Sequence, residues 1–158
     1  MGDSDSGAAN GRRLLFLHVE DDPNDAFFVR HAFKKGSPGV TLLTVADGRE
    51  AQNYLSGSSG YGDRARHPLP DLVLMDLKLP RMTGLEVLEW MKSQPGLKDI
   101  PVFILSSSSE QSDVERVQAL GANGYLSKQG NINILVEIVR GLVELAAAAQ
   151  SKVPTDGR

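Results

Sequence analysis

The chain has 158 residues, 41% apolar and 23% charged, enough for one domain with a substantial core. A net charge of −3 argues against a nucleic-acid surface built on general positive charge. The absence of cysteine excludes a disulfide framework, a thiol nucleophile and a thiolate metal site, and no apolar run approaches the roughly 20 residues needed to cross a bilayer.

Residues 1–12 are mostly Gly, Ser, Asp and Asn and read as a disordered tail without the apolar segment of a secretory signal, so a cytoplasmic protein is expected. Leu14–Val19 is a short apolar run, a buried strand. Asp22-Pro23-Asn24-Asp25 opens a helix, with Asp22 as cap and Pro23 in the first turn, running to about Lys35 before Gly36 and Pro38. Val40–Val45 is the second strand, and Asp47 with Glu50 three residues on caps a helix to about Leu55. Ser56–Pro70 is a long loop of Gly, Ser, Arg and Pro. Leu72–Met75 is the third strand, and Thr83-Gly84-Leu85-Glu86 is a capping box that opens a helix to about Ser93. Pro101–Leu105 is the fourth strand, followed by four serines and a helix over Glu110–Leu120, for which Ser109 is the expected cap. Gly124–Leu126 is a very short fifth strand. Asn131 caps a last helix from Ile132 to about Ala149, and residues 150–158 read as a polar tail. Strands alternate with helices five times, which means an α/β domain over residues 13–149, a doubly wound five-stranded parallel sheet with helices on both faces. There is no internal repeat and no second domain.

Ligands bind such open sheets at the carboxyl ends of the strands. Glu20-Asp21-Asp22, Asp76, Ser106 and Lys128 all follow apolar strand runs and therefore meet on that edge. Read singly, Asp76 is a loop or capping aspartate and Lys128 a solvated lysine. Together, carboxylates, an ammonium and a hydroxyl suit Mg²⁺ and a phosphoryl group. A carboxylate can attack phosphorus and form an acyl phosphate, which makes Asp76 the candidate phosphoacceptor. Adjacent acids repel unless a cation lies between them. Asp21 is expected to ligate Mg²⁺ directly together with Asp76, Glu20 to act through water in the outer shell, and Asp22 only to cap. The backbone carbonyl of Lys78, two past Asp76, is a further candidate ligand. Ser106, first after its strand, is placed to bond the phosphoryl group.

These residues resemble the receiver domain of two-component response regulators. The pattern is Val19-Glu20-Asp21-Asp22-Pro23, then Leu74-Met75-Asp76-Leu77-Lys78-Leu79-Pro80-Arg81-Met82-Thr83-Gly84, then Leu105-Ser106, then Tyr125-Leu126-Ser127-Lys128. Ser106 lies 30 past Asp76 and Lys128 lies 22 past Ser106, as in the family, and the resemblance runs from about Arg13 to Leu145. It implies a flavodoxin-like sheet of strand order 2-1-3-4-5. It also implies that Asp76 is phosphorylated by a phosphohistidine on a sensor histidine kinase, with Mg²⁺ as cofactor, Ser106 and Tyr125 as switch residues and Lys128 at the site-lysine position. Such a domain catalyses only its own phosphorylation and dephosphorylation. The family usually has a proline after this lysine in a cis bond. Gln129 stands here, and a cis bond before a non-proline costs roughly 3 kcal/mol, so the conformation of the Lys128–Gln129 bond and the way Lys128 is held are left open. The Ser56–Pro70 loop, ending in Leu69-Pro70-Asp71-Leu72, is similar to that of small response regulators paired with bacterial phytochromes. Arg64, Arg66 and His67 there are candidates for touching a partner, beside the simpler reading of a solvated loop.

With nothing following the receiver, output through a protein contact or onward phosphotransfer to a histidine phosphotransfer protein is expected. A phosphorylation-independent scaffold is a rival, yet Asp76, Lys128 and the acidic pair are all present. A flavodoxin-type FMN protein shares the fold class, but three acids after the first strand would repel the FMN phosphate. A phosphatase with an aspartate nucleophile needs a second acid where Lys78 stands, and no Gly-x-x-x-x-Gly-Lys-Ser/Thr loop occurs. In the last helix, Ile132, Leu135, Val136, Val139, Leu142 and Val143 fall on one face, with Ile134, Ile138 and Leu145 beside it. The apolar arc is about 200° at ~100° per residue, wider than a surface helix needs. With that helix at the sheet margin, part of the arc is expected to reach solvent and to form a homodimer through helix five and strand five.

Overall fold

The computed structural model describes residues 13–108 and 110–151, so the expectations for residues 1–12, for Ser109 as a helix cap and for residues 152–158 lie outside it. The elements run β1 (Leu15–Val19), α1 (Pro23–Gly36), β2 (Thr41–Val45), α2 (Gly48–Ser56), β3 (Leu72–Met75), α3 (Gly84–Lys92), β4 (Val102–Ser106), α4 (Gln111–Ala119), β5 (Gly124–Ser127) and α5 (Ile132–Ser151). The sheet has the order β2-β1-β3-β4-β5 with every pair parallel. This is the doubly wound, flavodoxin-like arrangement expected.

The strands are buried on both sides, and their residues alternate between two cores. Leu14, Phe16, Leu72, Leu74, Phe103 and Leu105 face a layer made by α1 and α5. Leu17, Val19, Val73, Met75, Val102 and Ile104 face the layer of α2, α3 and α4. Period-two alternation in a sheet covered on both faces accounts for these unbroken apolar runs.

The helix starts follow their caps. Asp22 accepts hydrogen bonds from the N–H groups of Asn24 (2.8 Å) and Asp25 (3.4 Å), with Pro23 in the first turn. Asp47 accepts from Glu50 N–H at 2.7 Å. Thr83 and Glu86 complete the reciprocal capping box. Asn131 accepts from Asn133 N–H at 2.8 Å. In α4 the cap position falls on Glu110, whose side chain makes no capping bond. Gly84 is required for a different reason: a Cβ there would run into the carbonyl oxygen of Asp76. Its N–H bonds the carbonyl of Leu77 at 2.9 Å and folds the β3–α3 loop under the site.

Two expectations need correction. Helix α5 does not lie at a bare margin. It packs beside α1, with Leu135, Val136, Val139, Leu142 and Ala146 buried among residues of β1, β3 and β4. From the end of β5, α5 packs on the same face of the sheet as α1, which covers part of the wide arc. Ile138 is half-buried in that seam, and only Ile134 (47% exposed) and Leu145 (44%) reach solvent freely. The helix also continues to Ser151, because Gln150 is buried and its Nε2 donates to Asp71 at 3.4 Å.

The second correction concerns the loop before β3. The guanidinium of Arg64 turns inward and donates to the carbonyls of Leu55 (2.7 Å), Tyr54 (2.9 Å) and His67 (3.1 Å). Tyr54, Tyr61 and His67 pack edge to face above it, and the Tyr54 hydroxyl donates to Pro68 O at 2.6 Å. The loop is a folded cap on the end of α2, and Arg64 is engaged within it.

Candidate functional site

Strand register brings the site together. Val19 pairs with Met75, Met75 with Ile104, and Ile104 with Tyr125. The next residues, Glu20 and Asp76, therefore lie side by side, and Ser106 and Lys128 end the neighbouring strands. Lys128 N–H bonds the Ser106 carbonyl at 3.0 Å, which fixes the β5–α5 loop against β4. The Lys128–Gln129 bond, which the sequence left open, is trans, since the described residues contain no cis peptide.

The carboxylates of Glu20, Asp21 and Asp76 have oxygens within 4.8 Å of one another. Glu20 and Asp76 are buried and Asp21 is exposed. Three hard oxygen donors, one open to solvent, form a set that can hold a divalent cation. Lys78 is exposed and lines the same cleft as Asp21. Asp76 Oδ1 accepts the Leu77 N–H at 2.7 Å and Oδ2 accepts from Lys128 Nζ at 2.9 Å. Glu20 Oε2 accepts the Asp22 N–H at 3.0 Å and Oε1 pairs with Lys128 at 3.0 Å.

Lys128 makes a third bond, to Asp25 Oδ2 at 2.7 Å. Burial works against its charge, but hydrogen bonds to Asp25, Asp76 and Glu20 outweigh this and hold the ammonium pKa above the ordinary lysine value. Burial pushes the Glu20 carboxyl up, partly offset by the Asp22 N–H and Lys128. His18, one strand layer below, is pushed down to about 3 by burial and then by Lys128, and its Nδ1 has no hydrogen-bond partner.

The hydroxyl end of the site lies on the α4 side. Ser106 is buried, and its Oγ accepts the Ser108 N–H at 3.2 Å. Tyr125 is half-buried, and its hydroxyl donates to the Ser108 carbonyl at 2.6 Å. The Ser108 hydroxyl in turn donates to Asp113 at 2.8 Å. Every described residue assigned to the site from sequence is thus on this sheet edge. Arg64 lies outside it, engaged in its own loop. Sequence reasoning missed Asp25, read as a first-turn residue of α1, and Ser108 and His18. Asp25 carries a signal, being one helical turn past the acidic pair, but the helix dipole already explained an acid there.

The comparisons agree with this geometry. Residues 16–140 match the model of the response regulator receiver domain. The response regulator Rcp1 of Synechocystis sp. is 34% identical over 137 residues, which are 87% of this chain and 90% of Rcp1. The structure of the phosphorylated cyanobacterial phytochrome response regulator RcpA superposes with a TM-score of 0.78 at 35% identity, covering 87% of this chain and 96% of RcpA. The Mn²⁺-bound form of Rcp1 gives 0.72 at 35% identity, covering 82% and 91%. A five-stranded parallel sheet carrying three clustered carboxylates and a lysine, matched over its length by these relatives, places the chain in the response regulator receiver family of two-component signalling.

Proposed function

We propose that Asp76 of this cytoplasmic protein accepts a phosphoryl group from a phosphohistidine on a sensor histidine kinase, in a reaction that requires Mg²⁺. The observation that carries this is the position of Asp76, with Lys128 on Oδ2 at 2.9 Å and the oxygens of Glu20 and Asp21 within 4.8 Å. A carboxylate oxygen attacks phosphorus, the P–N bond breaks, and its electron pair returns to the imidazole. A divalent cation would supply the charge that lets a phosphoryl dianion approach Glu20, Asp21 and Asp76. Asp21 and Asp76 would hold it with the carbonyl of Lys78. Glu20 would act through water in the outer shell, its oxygens engaged by the Asp22 N–H and Lys128. The Ser106 hydroxyl uses its oxygen to accept the Ser108 N–H, leaving its own proton to donate to a phosphoryl oxygen. That motion would disturb the loop to which Tyr125 is tied, which supports the pair as the switch. The likeness to RcpA and Rcp1 favours a phytochrome-type kinase as donor.

Incubation with Mg²⁺ and a small phosphodonor should add one acid-stable, base-labile phosphoryl group. Asp76→Asn or a chelator should abolish it. Uptake by Asp76→Asn at the wild-type level would remove the assignment.

A homodimer through α5 and β5 is part of the same proposal. It is supported by Ile134 and Leu145, which lie on one stripe of α5 and remain exposed.

A further inference from the structure

Lys128 is tied from two sides. Glu20 and Asp76, at 3.0 and 2.9 Å, belong to the carboxylate cluster. Asp25, at 2.7 Å, reaches it from the first turn of α1, and its carboxylate is not among the clustered oxygens. An ammonium has three N–H donors, and here each has an acceptor. The stem that carries it is flexible, with four carbons. The segment that follows, Gln129-Gly130-Asn131, contains no proline to stiffen it. Asp25 is better anchored. It sits in a helix whose start is set by Asp22, which accepts the N–H groups of Asn24 and Asp25.

We propose that Asp25 is a positioning residue that holds the Lys128 ammonium toward α1, so that it does not sink further between Glu20 and Asp76. This rests on the reading of Asp76 as phosphoacceptor. With Asp25 in place, the ammonium bridges α1 and Asp76, where an incoming phosphoryl oxygen meets it. Without Asp25, only Glu20 and Asp76 remain as acceptors, and the ammonium settles between them. It then occupies the cation's side of the site and competes with Mg²⁺ for the same oxygens. Asp25 thus acts through Lys128 and touches neither the metal cluster nor phosphorus.

Asp25 is partly exposed, with a side chain 41% accessible, so Asp25→Asn should fold. Three readouts are compared: thermal unfolding, Mg²⁺ affinity by calorimetry, and the rate of phosphoryl uptake from acetyl phosphate at saturating Mg²⁺. Asp25→Asn should bind Mg²⁺ about tenfold more weakly and take up phosphate about tenfold more slowly, a mid-range coupling for side chains in contact. Asp25→Glu should recover part of both. In a Lys128→Ala background, Asp25→Asn should change Mg²⁺ affinity by less than about threefold. An equal loss in both backgrounds would mean that Asp25 acts only as a nearby charge, and would overturn the proposal. So would wild-type affinity and rate in Asp25→Asn. If the wild-type chain took up no phosphate, the phosphoacceptor reading would fall, while the Mg²⁺ comparison would still decide whether Asp25 positions Lys128.

Discussion

At the scale of residues, His18 and Lys128 show opposite outcomes of burying a titratable group. Lys128 keeps its charge because three carboxylates surround it. Its contribution to stability is complete below the ordinary lysine pKa of 10.5 and is lost only as pH rises through the higher folded value. His18 is 1% exposed and has no partner for Nδ1, so it stays neutral down to about pH 3, against 6.5 when free. The unfolded chain therefore binds the extra proton, and stability falls as pH drops from 6.5 toward 3, by up to ~1.4 kcal/mol per pH unit. Glu20, with its pKa raised by burial, opposes this in the acid range, because the folded form takes up its proton more readily. Denaturant unfolding in the presence of a chelator should show the loss between pH 6.5 and 5, and His18→Leu should flatten it. An unchanged slope in that variant would mean that other groups govern acid unfolding.

At the scale of elements, Arg64 is a main tie of the loop between α2 and β3. Arg64 satisfies carbonyls at the end of α2 and in the loop through its planar, forked guanidinium. Arg64→Ala should lower stability by about 1–3 kcal/mol, the cost of leaving such acceptors unpaired. It should also speed proteolysis within residues 57–70. Arg64→Lys should not rescue it, since one ammonium cannot reach carbonyls that a fork spans. Wild-type protease resistance in Arg64→Ala would argue that the Tyr54, Tyr61 and His67 cluster suffices alone. In the sequence, Gly, Ser and Pro marked this stretch as a loop. Nothing local showed that its arginine would turn inward, because two of its acceptors, the carbonyls of Tyr54 and Leu55, belong to the preceding helix.

At the scale of the whole molecule, α5 divides its wide apolar arc between the core and the surface. Leu135, Val139 and Ala146 are buried, while Ile134 and Leu145 are exposed. If these two form a dimer contact with β5, the phosphorylated chain should sediment as a dimer and Ile134→Glu as a folded monomer that still accepts phosphate. Ile134 is the better probe than Ile138, which packs against the core and would destabilise the fold when charged. A wild-type monomer with and without phosphorylation would exclude the contact.

Sequence by itself determined the five strands, the caps of Asp22, Asp47, Thr83 and Asn131, and the site residues Glu20, Asp21, Asp76, Ser106 and Lys128. The physical reason is that these are local: alternation tells which segments must be buried on both faces, and a cap bonds N–H groups two or three residues away. Strand ends then inherit their place from the sheet. Tertiary structure alone decided the contact between Asp25 and Lys128, 103 residues apart, and that between Asp71 and Gln150, 79 apart. It also decided that α1 and the sheet share in covering the α5 arc. An amphipathic pattern states how much surface a helix must bury. Which neighbour buries it, and which acid a buried lysine finds, depend on how helices cross the assembled sheet.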